Sequence, residues 1–293
     1  MNDEKELAGL RLAFIGGGTM GEAIVRALLR TNEVAADQIV VSDPLAARLA
    51  VLAERHAIQT TTENDEAVKD ADVLILAVKP QVLPAVMEEL GEPIPSEALV
   101  FSIVAGMSIE TIGSGLDHPA VVRVMPNTPA QIGEGMAVWT DSPAVTKAQR
   151  AQTRTILQSM GVEMYVDHEE ELDMATAVSG TGPVYIFLLM EALVDAAVHL
   201  GFSRREARIL VTQTVLGSVK FAEQSGLHLA ELRNMVTSPG GTSAEAIYQM
   251  EKGRLRTVLS KAVWAAYQKS RLLGKRAQEP ADAPLDVNGD DAE

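Results

Sequence analysis

The 293-residue chain is long enough for about two domains, and 47% hydrophobic residues can furnish real cores. Its formal charge of −15 argues against broad electrostatic binding of nucleic acid. The absence of cysteine rules out disulfide and thiolate chemistry and fits a reducing compartment.

The start, Met1-Asn2-Asp3-Glu4-Lys5-Glu6, is charged and lacks a signal-peptide core, so a cytoplasmic location is expected. Residues 10–15 read as a short buried strand. Gly16-Gly17-Gly18-Thr19-Met20-Gly21 follows, then Ala23, Ile24, Ala27 and Leu28 at helical spacing. Gly16, Gly18 and Gly21 thus form G-x-G-x-x-G between a strand and a helix. The first glycine permits a tight turn, the second lets backbone approach a pyrophosphate, and the third allows close helix–strand packing. Residues 39–43 read as a second strand ending in Asp43, near the distance expected for a ribose-binding carboxylate. An acid there favours NAD over NADP. Asp43 reads equally as a turn residue before Pro44, and Arg48 could still serve a 2′-phosphate.

The alternation continues. Residues 44–55 read as helix and 72–78 as a buried strand ending in Lys79-Pro80. A helix is expected at 82–90, and a strand at 98–103 running into Ala105-Gly106. Another strand, 121–125, ends in Pro126-Asn127-Thr128-Pro129. Further strands are expected at 135–139 and 162–166, with a helix at 146–159. This pattern predicts a parallel sheet covered on both faces, an α/β Rossmann-type dinucleotide-binding domain over residues 1–167. Ligands of such sheets bind beyond the carboxyl ends of the strands, where Lys79, Ala105-Gly106 and Asn127 all fall. Lys79 reads equally as a ligand of phosphate or nicotinamide amide and as a surface charge.

From His168 the periodicity is helical, with helices expected at 183–201, 204–224, 230–235 and 255–273, giving an all-α domain over 168–275. Gly201 and Gly226 are natural helix stops and Ser203 a natural N-cap. Residues 178–183, Val-Ser-Gly-Thr-Gly-Pro, read as a capped junction, with Pro183 suited to the first helical position. The helix after it is apolar nearly all round and needs a large partner surface. A second copy of the chain is the expected partner, in a homodimer or larger assembly. Glu191, Asp195 and His199 interrupt this stretch, which excludes a membrane span. They read as a polar seam rather than a metal site. Residues 276–293, with six acids and one base, read as a disordered acidic tail.

Within this half lies Ser238-Pro239-Gly240-Gly241-Thr242-Ser243, followed by Ala244, Ala246, Ile247 and Met250 at helical spacing. It reads as a tight turn feeding a helix, with Thr242 or Ser243 as N-cap. The dipole end is a ready seat for a carboxylate, although locally an ordinary capped turn fits better. The five histidines lie outside every glycine-rich motif, and Tyr185 and Tyr248 fall inside predicted helices. Hydroxyls, amides, backbone N–H groups and one lysine suit hydride delivery to a carbon already electrophilic. A protonated imine is one, and it needs positioning more than acid catalysis.

Taken together, these motifs resemble the pyrroline-5-carboxylate reductase family over residues 10–271. The likeness is carried by 15–21, Ala77-Val78-Lys79-Pro80, 102–106, 123–130, 178–187 and above all 232–251. Where the family normally has Thr as the second hydroxyl after the glycine pair, this chain has Ser243. The resemblance implies a Rossmann-type domain followed by an all-helical dimerisation domain. It implies reduction of 1-pyrroline-5-carboxylate to L-proline, the last step of proline biosynthesis, with NADPH or NADH. Gly16, Gly18, Thr19, Met20 and Gly21 would hold the pyrophosphate, with Ser42 or Asp43 and Asn64 near the adenosine ribose. Ala77, Val78, Lys79, Pro80, Ala105, Gly106 and Asn127 would line the rest of the cofactor. Ser238, Gly240, Gly241, Thr242 and Ser243 would hold the substrate, with Ser243 or Thr242 meeting the ring nitrogen. In the family this loop is completed across the dimer. The alternatives are a related cyclic-imine reductase, a β-hydroxyacid dehydrogenase-like enzyme, and a non-catalytic dinucleotide-binding sensor. The dehydrogenases carry a helix-borne lysine that residues 178–197 lack.

Overall fold

The computed structural model describes residues 6–91 and 93–278. Its first part alternates β1 (Leu12–Ile15), α1 (Thr19–Arg30), β2 (Ile39–Ser42), α2 (Ala46–His56), β3 (Gln59–Thr61), α3 (Asn64–Val68) and β4 (Val73–Leu76). It continues through α4 (Leu83–Glu89), β5 (Leu99–Ser102), α5 (Ile109–Gly115), β6 (Val121–Met125), β7 (Gly135–Asp141), α6 (Lys147–Met160) and β8 (Gly161–Tyr165). The strands form one sheet in the order β3-β2-β1-β4-β5-β6-β7-β8. Side chains alternate across a strand, and in the inner strands β1, β4, β5 and β6 both faces are largely buried. Phe14, Ile75 and Val122 join α1 and α6 residues such as Ile24 and Leu157 in one cluster. Ala13, Leu74 and Val121 join Val86 and Ile112 in the other. The apolar strands of the parallel part follow from this double burial.

Two features of the sheet depart from the sequence expectation. First, β7 runs antiparallel to β6, with Val122 opposite Asp141 and Met125 opposite Val138, so the sheet is mainly rather than wholly parallel. The β6–β7 link holds only a 3-10 turn, Thr128–Ile132, with Pro126-Asn127 before it and Gly133-Glu134 after it, too little for a parallel crossover. Helix α6 then supplies the crossover to β8, which is parallel to β7. Second, β3, α3 and α5 had no counterpart in the sequence reading. β3 is the polar triplet Gln-Thr-Thr at the sheet edge.

The helical part comprises α7 (Glu171–Ala175), a π-helical segment Thr176–Gly180, α8 (Gly182–His199), α9 (Arg204–Ser225), α10 (Leu229–Met235), α11 (Thr242–Lys252) and α12 (Leu255–Gln278). The expected turn at residues 178–183 is therefore mostly helical. Two compact units result. One reaches Gly180 and resumes at Ala266, and the other is Thr181–Ala265. The division falls later than the boundary expected at residue 167 because Leu172 and Ala175 of α7 pack with Val138 and Val166 against the sheet. Of the tail expected at 276–293, residues 276–278 end α12, and the remainder lies outside the described residues.

In the unit Thr181–Ala265, α8 packs against α9. Ser203 caps α9, accepting from the Glu206 N–H while Glu206 reaches back to the Ser203 N–H. Gly226 ends it in the left-handed conformation, with φ +64°. Among the described residues of this unit only Ala207 and Val211 are buried. Val184, Phe187 and Trp264 are each 61% exposed. Length and composition alone would let the helical run Glu171–His199 cross a membrane, although Glu191 and Asp195 lie on it.

Candidate active site

The glycine-rich turn joins β1 to α1. Gly16 has φ +104°, and a β carbon there would lie 2.7 Å from the Ala77 carbonyl oxygen. A β carbon on Gly21 would lie 2.4 Å from the Gly16 carbonyl oxygen. Both positions thus demand glycine for packing. Gly18 differs: no atom lies within 4 Å of its would-be β carbon, and the residue is exposed. It is the N-cap of α1 and offers no capping side chain, so the first-turn N–H groups at Thr19 and Met20 are left for an external acceptor.

The strand ends gather the other expected cofactor residues in this unit. Asp43 Oδ2 accepts from the Gly17 N–H at 2.9 Å and Oδ1 from the Leu45 N–H at 3.0 Å. Asp43 therefore builds its own turn and braces the glycine loop, and both of its oxygens already accept backbone hydrogen bonds. The Ser42 hydroxyl donates to Asn64 Oδ1 at 2.6 Å, joining the end of β2 to the start of α3. Ala77 and Val78 follow β4 half-buried, Lys79 is exposed, and Pro80 is half-buried. Ala105 and Gly106 follow β5, and Gly106 has φ +76°. Asn127 follows β6; its Oδ1 accepts from the Met136 N–H at 2.9 Å and its Nδ2 donates to the Ser179 carbonyl at 3.1 Å. Strand order reverses between β1 and β4, the place where such sheets take a dinucleotide. The open Gly18 at a helix N-terminus fits a pyrophosphate there.

Beside Gly18 and Thr19, a cleft of about 420 Å³ is lined by Glu22, Arg26, Arg48 and Arg55. Arg48 does not stand free for a 2′-phosphate: it donates to Glu22 at 2.5 Å and, through Nε, to the Gly17 carbonyl. Arg55 and His56 also reach Glu22, at 2.6 and 3.1 Å. Burial would raise the Glu22 pKa, but hydrogen bonds with Arg48, His56 and Arg55 outweigh it and lower the value from 4.5 to about 2. A carboxylate lowered in the folded state stabilises the fold above its unfolded pKa. That contribution is complete above about pH 4.5 and disappears as pH falls towards 2. Glu22→Gln should therefore lower stability at pH 7 by roughly 1–3 kcal/mol and flatten the decline in this acid window. Urea unfolding across pH checks both effects.

The unit Thr181–Ala265 carries the second cluster. The expectation that Thr242 or Ser243 caps α11 is corrected: the N-cap is Gly241, in extended conformation at φ −80° and ψ 167°, and no side chain caps the helix. Thr242 and Ser243 are instead the first two helical residues. Gly240 turns the chain at φ +70°. The Gly241 N–H donates to the Ser238 carbonyl at 3.0 Å, and a β carbon on Gly241 would lie 2.5 Å from Ser238 Oγ. The turn thus brings the Ser238 hydroxyl over the helix entrance. Thr242 is exposed and Ser243 half-buried. Because the cap has no side chain, first-turn N–H groups remain available beside two hydroxyls.

Other expected or overlooked groups have structural partners. His118 Nε2 lies 2.7 Å from the Ala98 carbonyl, and His228 Nδ1 accepts from the Ala230 N–H. Asp195 pairs with Arg204 at 3.0 Å. Among the described residues no His, Asp and Glu grouping suits a metal ion. Sequence reasoning overlooked Arg123 and Glu169. Arg123, 7% exposed, pairs with Glu169 at 2.8 Å. The available signal was a lone arginine inside the otherwise apolar strand Val121-Val122-Arg123-Val124-Met125.

A family model described as pyrroline-5-carboxylate reductase dimerisation matches residues 169–273. One described as NADP oxidoreductase coenzyme F420-dependent matches residues 11–106. The chain is 41% identical over 267 residues to the pyrroline-5-carboxylate reductase of Pseudomonas aeruginosa, covering 91% of this chain and 97% of that one. It is 39% identical over 267 residues to the Synechocystis sp. enzyme of the same name, covering 91% and 99%. A solved structure of Plasmodium falciparum pyrroline carboxylate reductase with NADP bound superposes with a TM-score of 0.83 at 30% identity, covering 91% and 98%.

Proposed function

The chain belongs to the pyrroline-5-carboxylate reductase family, and from that premise we infer how its residues divide the work. It is an NAD(P)H-dependent oxidoreductase acting on a C=N bond, reducing 1-pyrroline-5-carboxylate to L-proline, and it forms a homo-oligomer. This identity favours the reductase over the dehydrogenase-like and sensor readings.

The observation that carries the division of roles is the pair of helix entrances capped by glycine. At α1, the Gly18 entrance receives the pyrophosphate, with Gly16 and Gly21 shaping the turn and Thr19 and Met20 presenting N–H groups. Ser42, Asp43 and Asn64 flank the adenosine ribose. Ala77, Val78, Lys79, Pro80, Ala105, Gly106 and Asn127 line the remaining cofactor half. At α11, N–H groups and hydroxyls from Ser238 to Ser243, with Gly240 and Gly241 shaping the turn, hold the substrate carboxylate. The Ser243 hydroxyl, with Thr242 as its neighbour, bonds the ring nitrogen. When bound, the nicotinamide supplies the hydride for the imine carbon. The chain's own part is orientation, and no strong general acid is needed because an iminium carbon is already electrophilic. In our reading the protein is cytoplasmic, binds neither nucleic acid nor membrane, and covers the apolar face of α8 with a second copy.

The test follows oxidation of NADH and of NADPH by the protein with pyrroline-5-carboxylate and, separately, reduction of NAD+ and of NADP+ with 3-hydroxyacids. Turnover with the imine acid alone is expected. Cofactor binding without oxidation by any cyclic imine would return the sensor reading.

A further inference from the structure

The turn after β5 is held at several points, and one of them lies far away in sequence. At its start, Ser102 Oγ accepts from the Val104 N–H at 3.2 Å, and the Ile103 N–H donates to the Leu76 carbonyl. At its back, Gly106 meets α12 so closely that a β carbon would lie 3.2 Å from the Gly274 backbone nitrogen. At its far end, the Ile109 N–H donates to Glu169 Oε1 at 2.8 Å. The same oxygen accepts from Arg123 Nη1 at 2.8 Å. Arg123 sits in β6, next to β5 in the sheet, and also faces Asp173 at 3.8 Å. Asp173 in turn accepts from the Ser270 hydroxyl of α12 at 2.7 Å. The Glu169 carboxylate is therefore the link between the end of the turn and a nearly buried guanidinium in the sheet.

We propose that Glu169 is a positioning residue for the cofactor, fixing the Ala105–Gly106 turn through the Ile109 N–H and the Arg123 guanidinium. The proposal rests on the assignment of Ala105 and Gly106 to the cofactor site. Arg123 restrains Glu169 from the sheet side, so the turn end cannot drift without breaking a hydrogen bond in a mostly buried place. In this proposal Glu169 acts through the turn and not by contact with either reactant. Its effect belongs on cofactor affinity rather than on binding of the imine acid.

Four variants test this by calorimetric Kd for NADPH, by separate KM values for cofactor and imine acid, and by Tm. Glu169→Ala removes both bonds and should weaken NADPH binding about ten- to a hundredfold, as a displaced positioning element does. The KM for imine acid at saturating cofactor should stay within about twofold of the parent value. Glu169→Gln keeps an acceptor for the Ile109 N–H and should recover most of the affinity. Ile109→Pro deletes the donor instead. Ile109 opens α5, where proline is tolerated, and Ser108 at φ −76° and ψ 158° already has the conformation that precedes proline. It should reproduce the Glu169→Ala loss, and it decides the matter if Glu169→Ala does not fold. NADPH affinity equal to the parent's in Ile109→Pro, or a Gln variant as weak as the Ala variant, overturns the tether. Gly106→Ala separates the two layers of the argument. If it weakens NADPH binding while the Glu169 and Ile109 variants do not, only the tether falls. If it too binds normally, the cofactor assignment of the turn falls with it.

Discussion

Ser243→Ala should lower turnover by about ten- to a thousandfold while leaving the Kd for NADPH unchanged. The size follows from losing one oriented hydroxyl at the reacting nitrogen, where no other acid group is proposed. Ser243 is the second residue of α11 and half-buried, whereas Thr242, the first, is exposed. Thr242→Ala should accordingly cost much less. Ser243→Thr restores the residue the family normally has and should keep most of the activity, with any change falling on ring preference. Steady-state kinetics and cofactor calorimetry on the three variants provide the measurement. Parent-like kinetics in Ser243→Ala would remove the hydroxyl from the mechanism. A larger loss in Thr242→Ala would move the role one residue back.

The second large effect concerns two glycines three residues apart that should fail in different ways. Gly21→Ala puts a methyl 2.4 Å from the Gly16 carbonyl oxygen, with the Ala77 β carbon 3.5 Å away. The nearest obstruction is backbone of the turn itself, so relief means moving that turn. Overpacking of this kind costs about 1–3 kcal/mol or more, and the displaced loop should bind NADPH at least about a hundredfold more weakly. Gly18→Ala meets nothing within 4 Å, and its backbone, φ −67° and ψ −173°, suits any residue. Its Tm should match the parent's, while NADPH affinity falls by roughly tenfold or more because the methyl stands in the proposed path of the pyrophosphate. Thermal melts with and without NADPH distinguish the two. Parent-like NADPH affinity in Gly18→Ala would displace the pyrophosphate from this turn.

Much of this was legible in sequence, and the exceptions have physical causes. The apolar runs of β1, β4, β5 and β6 announce themselves because both sheet faces bury them. The glycine spacing announces the loop because only a residue without a β carbon fits at Gly16 and Gly21. β3 escaped because an edge strand of Gln, Thr and Thr has no apolar signature. The reversal at β7 escaped because hydrophobic alternation is the same in either direction. The N-cap of α11 was misassigned to a hydroxyl because capping preference favours Ser and Thr, while here the glycine takes the cap and the hydroxyls move into the first turn. The link between Arg123 and Glu169 is a long-range pair whose signal, one cation in an apolar strand, names no partner.

The unit Thr181–Ala265 buries only Ala207 and Val211 among its described residues. Two small interior side chains cannot offset the conformational entropy of ordering long helices. With the apolar face of α8 buried against a second copy, as proposed above, folding of this part and association would be one thermodynamic event. Its midpoint then obeys a law of mass action in protomer concentration. Each tenfold dilution subtracts about 1.4 kcal/mol per dimer formed. A substitution on α8 far from both glycine-capped entrances would thus register as a loss of activity that deepens on dilution and recedes when the protein is concentrated.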